Sequence, residues 1–288
     1  MKVGIQLFSV RDAIAEDAIG TLEKIAEMGY KYWEPAPYFF GKDKDMINRY
    51  GLNMTAKDAK KFIDDHGVKI VGTHVDPLTV ETYPAALDYF EELGNQNVGF
   101  TGHHFSGLDD LKQKCELYNK IGEIAKSRGM VFYYHNHYQE WQKFEGKFAM
   151  DWILELTDPE LVKFELDNFW CARGGADPVK VAYQTRDRLI LMHQKDFGKN
   201  ANEPLNLFEK AVDPNGLVDG SLYDVTRRID SFAEVGTGVL PIQDYIDVGN
   251  ELGVPYILLE QDWSHYSNLE SVQMSMNAFK KYKGIEWD

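Results

Sequence analysis

Short apolar runs alternate with amphipathic helical stretches along the chain, and polar residues able to do chemistry stand at the C-terminal ends of those runs. No Gly-x-Gly-x-x-Gly turn follows the first run. Together these observations predict an α/β protein, a (β/α)8 TIM barrel formed as a single domain by residues 1–288. The structural alternative is a doubly wound open sheet, and the missing glycine fingerprint argues against it.

The first run, residues 3–8, reads as a strand that begins at once. Residues 18–28 follow as a helix with Ile19, Leu22, Ile25 and Ala26 on one face, stopped by Gly29. The second run is 31–34. The next helix starts near Thr55, where Asp58 makes a variant of the capping box, and ends at His66-Gly67. Run 68–75 comes at once. Helix 83–93 ends at Gly94 before run 98–101, and helix 108–126 ends near Gly129 before run 130–134. Helix 150–156 precedes run 161–166, and helix 178–183 precedes run 189–192. Run 256–259 and helix 269–282 close the chain. Alternation of this kind means parallel strands joined by crossovers. The pattern loosens between 195 and 239, where Asn200, Asn202, Pro204, Pro214, Asn215 and Gly216 cluster. In a barrel this excursion lies on the C-terminal face, where long loops shape sites.

Composition bounds the function. With 46 acidic and 31 basic residues the formal charge is −15, a sign that phosphate backbones and anionic membranes repel. No nucleic acid and no membrane partner are therefore expected. Cys115 and Cys171 are too few for a disulfide framework and fit a reducing compartment. The N-terminal run is too short and mixed for a signal peptide, and no stretch is long and apolar enough for a membrane span, so a cytoplasmic setting is expected.

His74 follows the third run, His103 and His104 the fourth, and His135, Asn136, His137 and Glu140 the fifth. Asp167 follows the sixth, His193 and Lys195 the seventh, and Glu260 and Asp262 the eighth. In a barrel these ends converge on one mouth, where polar residues read as catalytic. Alone, a histidine after a strand is more often a satisfied polar residue, and an Asp or Glu a helix cap. The recurrence at the end of one strand after another is what points to a site. Imidazoles with carboxylates form an N/O donor set suited to manganese, cobalt, zinc or magnesium. Glu165 and Asp167 lie two apart and point the same way, as do His193 and Lys195. Lys195 either moves a proton or pairs with a barrel carboxylate such as Glu165.

These residues carry a resemblance to the xylose isomerase-like barrels, the sugar phosphate isomerase/epimerase superfamily. The opening Gly4-Ile5-Gln6-Leu7-Phe8-Ser9-Val10-Arg11-Asp12 is similar to that family's first strand. Tyr134-His135-Asn136-His137-Tyr138-Gln139-Glu140-Trp141 resembles the His-Asn-His-x-x-Glu motif of one subgroup. Leu166-Asp167-Asn168 with Gly174-Gly175-Ala176-Asp177-Pro178 resembles the sixth-strand segment, and Met192-His193-Gln194-Lys195-Asp196 the seventh. Val235-Gly236-Thr237-Gly238-Val239 is similar to the family's Gly-x-Gly element before the last helix–strand unit, and Leu259-Glu260-Gln261-Asp262 to the terminal Glu-Gln-Asp of the inositol-dehydratase-like branch.

The resemblance implies one divalent metal, manganese before cobalt, zinc or magnesium, held by Glu140, Asp167, His193 and Glu260. In other branches the fifth-strand ligand stands where His135 stands here, so His135 is the alternative to Glu140. Trp170 occupies a place where the superfamily's epimerases often carry histidine, which weakens a ketose epimerase reading. The expected function is a metal-dependent sugar isomerase or epimerase, or a keto-sugar lyase or dehydratase, working through an enediolate. His135, His137, Lys195, Glu140 and Glu260 are the candidate catalytic groups. His74, His103, Trp33, Trp170 and Trp263 are the candidate substrate contacts, and Tyr38, Phe39 and Trp141 are further aromatics near strand ends. The competing readings are an apurinic-site endonuclease, which the charge disfavours, and a sugar-binding barrel without catalysis. Barrels of this kind often pair, so a homo-oligomer is an open expectation.

Overall fold

The structure, a computed structural model, describes residues 1–37, 51–213 and 215–287. Tyr38, Phe39 and Pro214 lie outside the described residues. The barrel strands are β1 (Lys2–Gln6), β2 (Tyr32–Glu34), β3 (Lys69–Ile70), β4 (Asn97–Thr101), β5 (Val131–His135), β6 (Val162–Asp167), β7 (Leu189–Gln194) and β8 (Tyr256–Leu259). They form one sheet in the order β3-β2-β1-β8-β7-β6-β5-β4, with every pair parallel. The two edges meet through a parallel bridge between His74 and Gly99. Gly99 N donates to Thr73 O at 2.8 Å and Val75 N to Gly99 O at 3.0 Å, which closes the barrel. Closure removes both edges of the barrel sheet.

Among the described residues, eight helices of eight residues or more follow the strands: α1 (Ala18–Met28), α2 (Ala56–Asp65), α3 (Tyr83–Glu92), α4 (Leu108–Ser127), α5 (Ala149–Leu156), α6 (Pro178–Thr185), α7 (Ile242–Glu251) and α8 (Asn268–Phe279). Their ends follow from sequence chemistry. Asp17 caps α1 through Gly20 N, and Gly29 ends it at φ 103°, a conformation costly for a residue with a Cβ. Thr55 caps α2 through Asp58 N, and Ser267 with Glu270 forms a full capping box on α8. Among the described residues no helix is long and apolar enough to cross a membrane.

Four details depart from the sequence reading. Ile19 is 45% exposed, because the buried stripe of α1 runs through Thr21, Leu22, Ile25 and Ala26. β1 stops at Gln6, where Ser9 Oγ donates to Gln6 O at 2.7 Å and the chain turns into a 3-10 helix, Leu7–Val10. The ladder of β3 covers only two residues; beyond it the chain stays extended toward the mouth, with Val71 N on Trp33 O at 3.0 Å and His74 N on Pro35 O at 3.1 Å. The 195–239 excursion is more ordered than its composition suggests. Its strand Asp196–Phe197 pairs antiparallel with Phe232–Ala233, and a helix, Gly220–Thr226, carries Tyr223 toward the mouth. Arg173, fully buried, donates to Pro204 O at 2.7 Å, Leu205 O at 3.2 Å and Thr226 O at 3.3 Å and so ties the excursion down.

Candidate active site at the barrel mouth

Side chains alternate along a strand, so residues two apart on one strand stack as successive layers inside a barrel. The lower layer here is Gln6, Glu34, His74, Tyr133, Glu165 and part of His193. Glu34 accepts from Gln6 Nε2 at 2.8 Å and from the Tyr133 hydroxyl, and lies 2.5 Å from His193 Nε2. Glu165 reaches His74 Nε2 at 2.8 Å, His135 Nδ1 at 3.0 Å and His193 Nε2 at 3.1 Å. Gly99 makes room for this: a Cβ there would sit 2.3 Å from the Tyr133 ring. Although burial opposes it, His193 and the other imidazoles hold the Glu165 carboxyl well below the usual carboxylate range.

The upper layer is His135, Asp167, His193, Lys195 and Glu260. His193 Nδ1 lies 2.9 Å from Glu260 Oε2 and 3.9 Å from Asp167 Oδ2, and His135 Nε2 lies 3.8 Å from Asp167 Oδ2. The Lys195 ammonium donates to both Asp167 Oδ2 and Glu260 Oε2. Burial works against the charged forms, yet Lys195 and His193 hold the Glu260 carboxyl well below its ordinary range. Asp167 also caps the short helix Asn168–Arg173, its Oδ1 accepting from Trp170 N at 2.8 Å. One carboxylate thus serves as a cap and faces the mouth, with its two oxygens divided between the roles.

Two donor groups converge tightly enough to hold a cation. His74, His135, Glu165 and His193 form one, and His135, Asp167, His193 and Glu260 the other, with the ligand atoms of each within 4.8 Å of one another. The second fits a divalent ion better. Buried His135 Nε2, which faces it, has no hydrogen-bond partner, and this group sets two carboxylates against two imidazoles, whereas the first has only Glu165, whose Oε2 already meets His74 and His135. Above the second group opens a cavity of about 190 Å³, lined in part by His74, Thr101, His137, Tyr223, Arg227, Glu260 and Asp262. Burial, with His135 and Lys195 nearby, drives His137 well below the usual imidazole range, so its ring faces the cavity neutral.

The other residues singled out from sequence fall elsewhere. Glu140 belongs to neither donor group. Its Oε1 accepts from the Tyr134 hydroxyl at 2.5 Å and its Oε2 from His137 N at 2.9 Å, so it braces the His-Asn-His turn from behind, and burial pushes its carboxyl up to about 7. Trp33 is core: fully buried, it donates from Nε1 to Tyr30 O at 2.8 Å. His103 bonds the Tyr118 hydroxyl at 2.8 Å and stacks on that ring, packing α4 against β4 rather than facing the cavity. Trp170 is fully buried behind His137, with ring centroids 5.5 Å apart. Trp263, 42% exposed, lines a neighbouring cleft of about 480 Å³ with Arg11 and Gln261. Lys195 pairs with Asp167 and Glu260, not with Glu165. Glu34, Tyr133, Tyr223 and Arg227 are site residues that sequence reasoning missed; the signal of Glu34 is a lone carboxylate closing an aromatic strand just before Pro35.

Comparison with known proteins agrees with this fold. The chain is 33% identical over 195 residues to an inosose dehydratase of Geobacillus kaustophilus, covering 61% of this chain and 60% of that one. It spans about half of the length of an inosose dehydratase of Clostridium perfringens and three-fifths of that of Geobacillus kaustophilus. Among solved structures, a sugar phosphate isomerase/epimerase from Parabacteroides distasonis superposes with a TM-score of 0.74 at 22% identity, over 99% of this chain and 95% of that one. The IOLI protein with a bound zinc atom superposes with a TM-score of 0.68 at 14% identity, over 97% and 96% of the two chains. Residues 22–282 match the family model of the xylose isomerase-like TIM barrel, and the chain belongs to that family.

Proposed function

We propose that the protein is a divalent-metal-dependent enzyme that enolises a small keto-sugar or keto-inositol, as a dehydratase or as an isomerase or epimerase. The observation that carries this is the convergence of His135, Asp167, His193 and Glu260 beneath a cavity of about 190 Å³. Likeness to inosose dehydratases and to a zinc-bound barrel of the same fold supports it. His135, Asp167, His193 and Glu260 would hold the ion; manganese is the first choice, and the same donors accept cobalt, zinc or magnesium. Once bound, the cation supplies Lewis acidity toward a substrate carbonyl.

The remaining chemistry belongs to the side chains. His137, neutral and at the cavity wall, accepts the proton from the carbon beside the carbonyl. Returned to the neighbouring carbon, that proton gives an isomer; a proton delivered instead to the opposite face of the carbon that lost it gives an epimer. Given instead to a departing hydroxyl, it leaves as water, and the product is a dehydrated ketone. Tyr223 and Arg227, delivered by the 195–239 excursion, orient the substrate's hydroxyls. Glu34, Tyr133 and Glu165 fix the ring orientation of His193 from below, as outer-layer partners of metal-binding histidines do.

The test is proton exchange in deuterated water, followed by NMR on a panel of keto-inositols and keto-sugars with manganese present. The expected result is loss of the proton signal beside the carbonyl on at least one substrate, slowed about 100-fold or more in His137→Ala with metal content unchanged. A metal-loaded protein that exchanges no substrate contradicts the reading. Cleavage of abasic DNA without exchange would favour the nuclease.

A further inference from the structure

A lysine ammonium and a cation cannot hold the same carboxylate oxygens at once. Asp167 Oδ2 and Glu260 Oε2 are the carboxylate atoms that face His135 and His193, and both accept from Lys195 Nζ. Lys195 is fully buried, so an ammonium displaced from them needs another anion close by. One stands ready. Asp262 Oδ1, buried and without a hydrogen-bond partner, lies 3.8 Å from Lys195 Nζ. Its backbone is fixed, because Arg11 Nη2 donates to Asp262 O at 2.7 Å. The Trp170 ring centroid lies 6.0 Å from the ammonium, within reach of a cation–π contact.

We propose that Lys195 competes with the divalent cation for Asp167 and Glu260, and that Asp262 receives the ammonium when the cation binds. This rests on the metal reading of the site and adds to it a role for two residues that are not ligands. Lys195 keeps the paired carboxylates neutralised until the cation arrives. The exchange then brings the ammonium to Asp262, which lines the substrate cavity. Lys195 becomes a donor to the substrate only in the loaded protein, and Asp262 sets how readily the cation enters.

The experiment is a double-mutant cycle read by calorimetric titration of Mn2+ into EDTA-treated protein. Lys195→Gln is expected to bind Mn2+ about tenfold or more tighter than wild type, because no ammonium has to be displaced. Asp262→Asn is expected to bind about fivefold or more weaker, because the displaced ammonium loses its berth. In the Lys195→Gln background the Asp262→Asn change should fall below about twofold. Equal weakening in both backgrounds would mean that Asp262 acts only through its distant charge and would overturn the exchange, as would a Lys195→Gln affinity no higher than wild type. If Lys195→Gln does not fold, Asp262→Asn alone decides, and an unchanged affinity sinks the proposal. Wild-type protein that binds no divalent ion refutes the metal reading itself, an outcome distinct from a binding wild type with an uncoupled cycle.

Discussion

Hydrogen-bond partners, more than residue type, decide the roles of Glu140 and His135. Both sit in one motif and both are buried, but Glu140 has its oxygens taken by Tyr134 and His137 N, while His135 Nε2 is left without a partner beside Asp167. His135→Ala should therefore weaken Mn2+ binding about tenfold or more, and Glu140→Gln should leave it within about threefold, by calorimetric titration. Sequence alone shows that both residues follow the fifth strand. Which one faces inward depends on where the strand stops, and β5 ends at His135. Glu34 is harder to find, since Tyr32, Trp33 and Glu34 read as an ordinary aromatic strand until the barrel brings His193 to it. His103 carries a pH prediction. Burial lowers its pKa to about 4, so the folded state keeps the ring neutral while the unfolded chain protonates near pH 6.5. The unfolded state thus binds the extra proton in that window, and stability present above about pH 6.5 is lost as pH falls toward 4. After discounting for its partial exposure, the loss should be on the order of 2 kcal/mol and absent in His103→Asn, read from urea midpoints at several pH values.

At the scale of elements, the Met192–Asp196 and Val235–Val239 motifs prove to be one structure. The Asp196 carboxylate accepts from Phe197 N at 2.8 Å, Gly238 N at 2.9 Å, and Gly236 N and Leu240 N at 3.0 Å. Gly238 has to be glycine: a Cβ there would lie 2.3 Å from Asp196 Oδ1 and Phe197 O. This anchor closes the base of the excursion that brings Tyr223 and Arg227 to the mouth. Asp196→Ala leaves four amides without their acceptor and should cost about 2–4 kcal/mol, seen as a lower urea midpoint. The two motifs are visible in the sequence, but their pairing spans some 40 residues and no local pattern reports it. Helix α7 was unread for a related reason. Its buried residues Ile242, Tyr245, Ile246, Val248 and Gly249 have helical spacing, yet they follow directly on a loop whose composition masks the start. Most helix boundaries were legible because glycine and capping residues mark them locally.

For the whole molecule, the barrel turns sequence order into a ring, and residues separated by more than 200 positions, such as Gln6 and Glu260, come to the same mouth. That much was readable, since eight alternating units leave few other arrangements. The charge of −15 was readable too, but not its layout: buried at the mouth, a few carboxylates meet three imidazoles and one ammonium. A ligand that binds only the folded barrel stabilises it by mass action. Manganese at about 100 times its Kd should add about 2.7 kcal/mol and raise Tm by roughly 5 °C, an increase that Asp167→Asn abolishes. Cys115 and Cys171 are both buried, and burial pushes the Cys115 thiol up to about 12, so neither should react with a thiol reagent until the barrel unfolds. The most direct test of the central claim is an anomalous difference map from crystals grown with manganese. One strong peak is expected within bonding distance of His135, Asp167, His193 and Glu260; a barrel mouth without a peak, or a peak bonded to Glu140 instead, would contradict the proposed metal site.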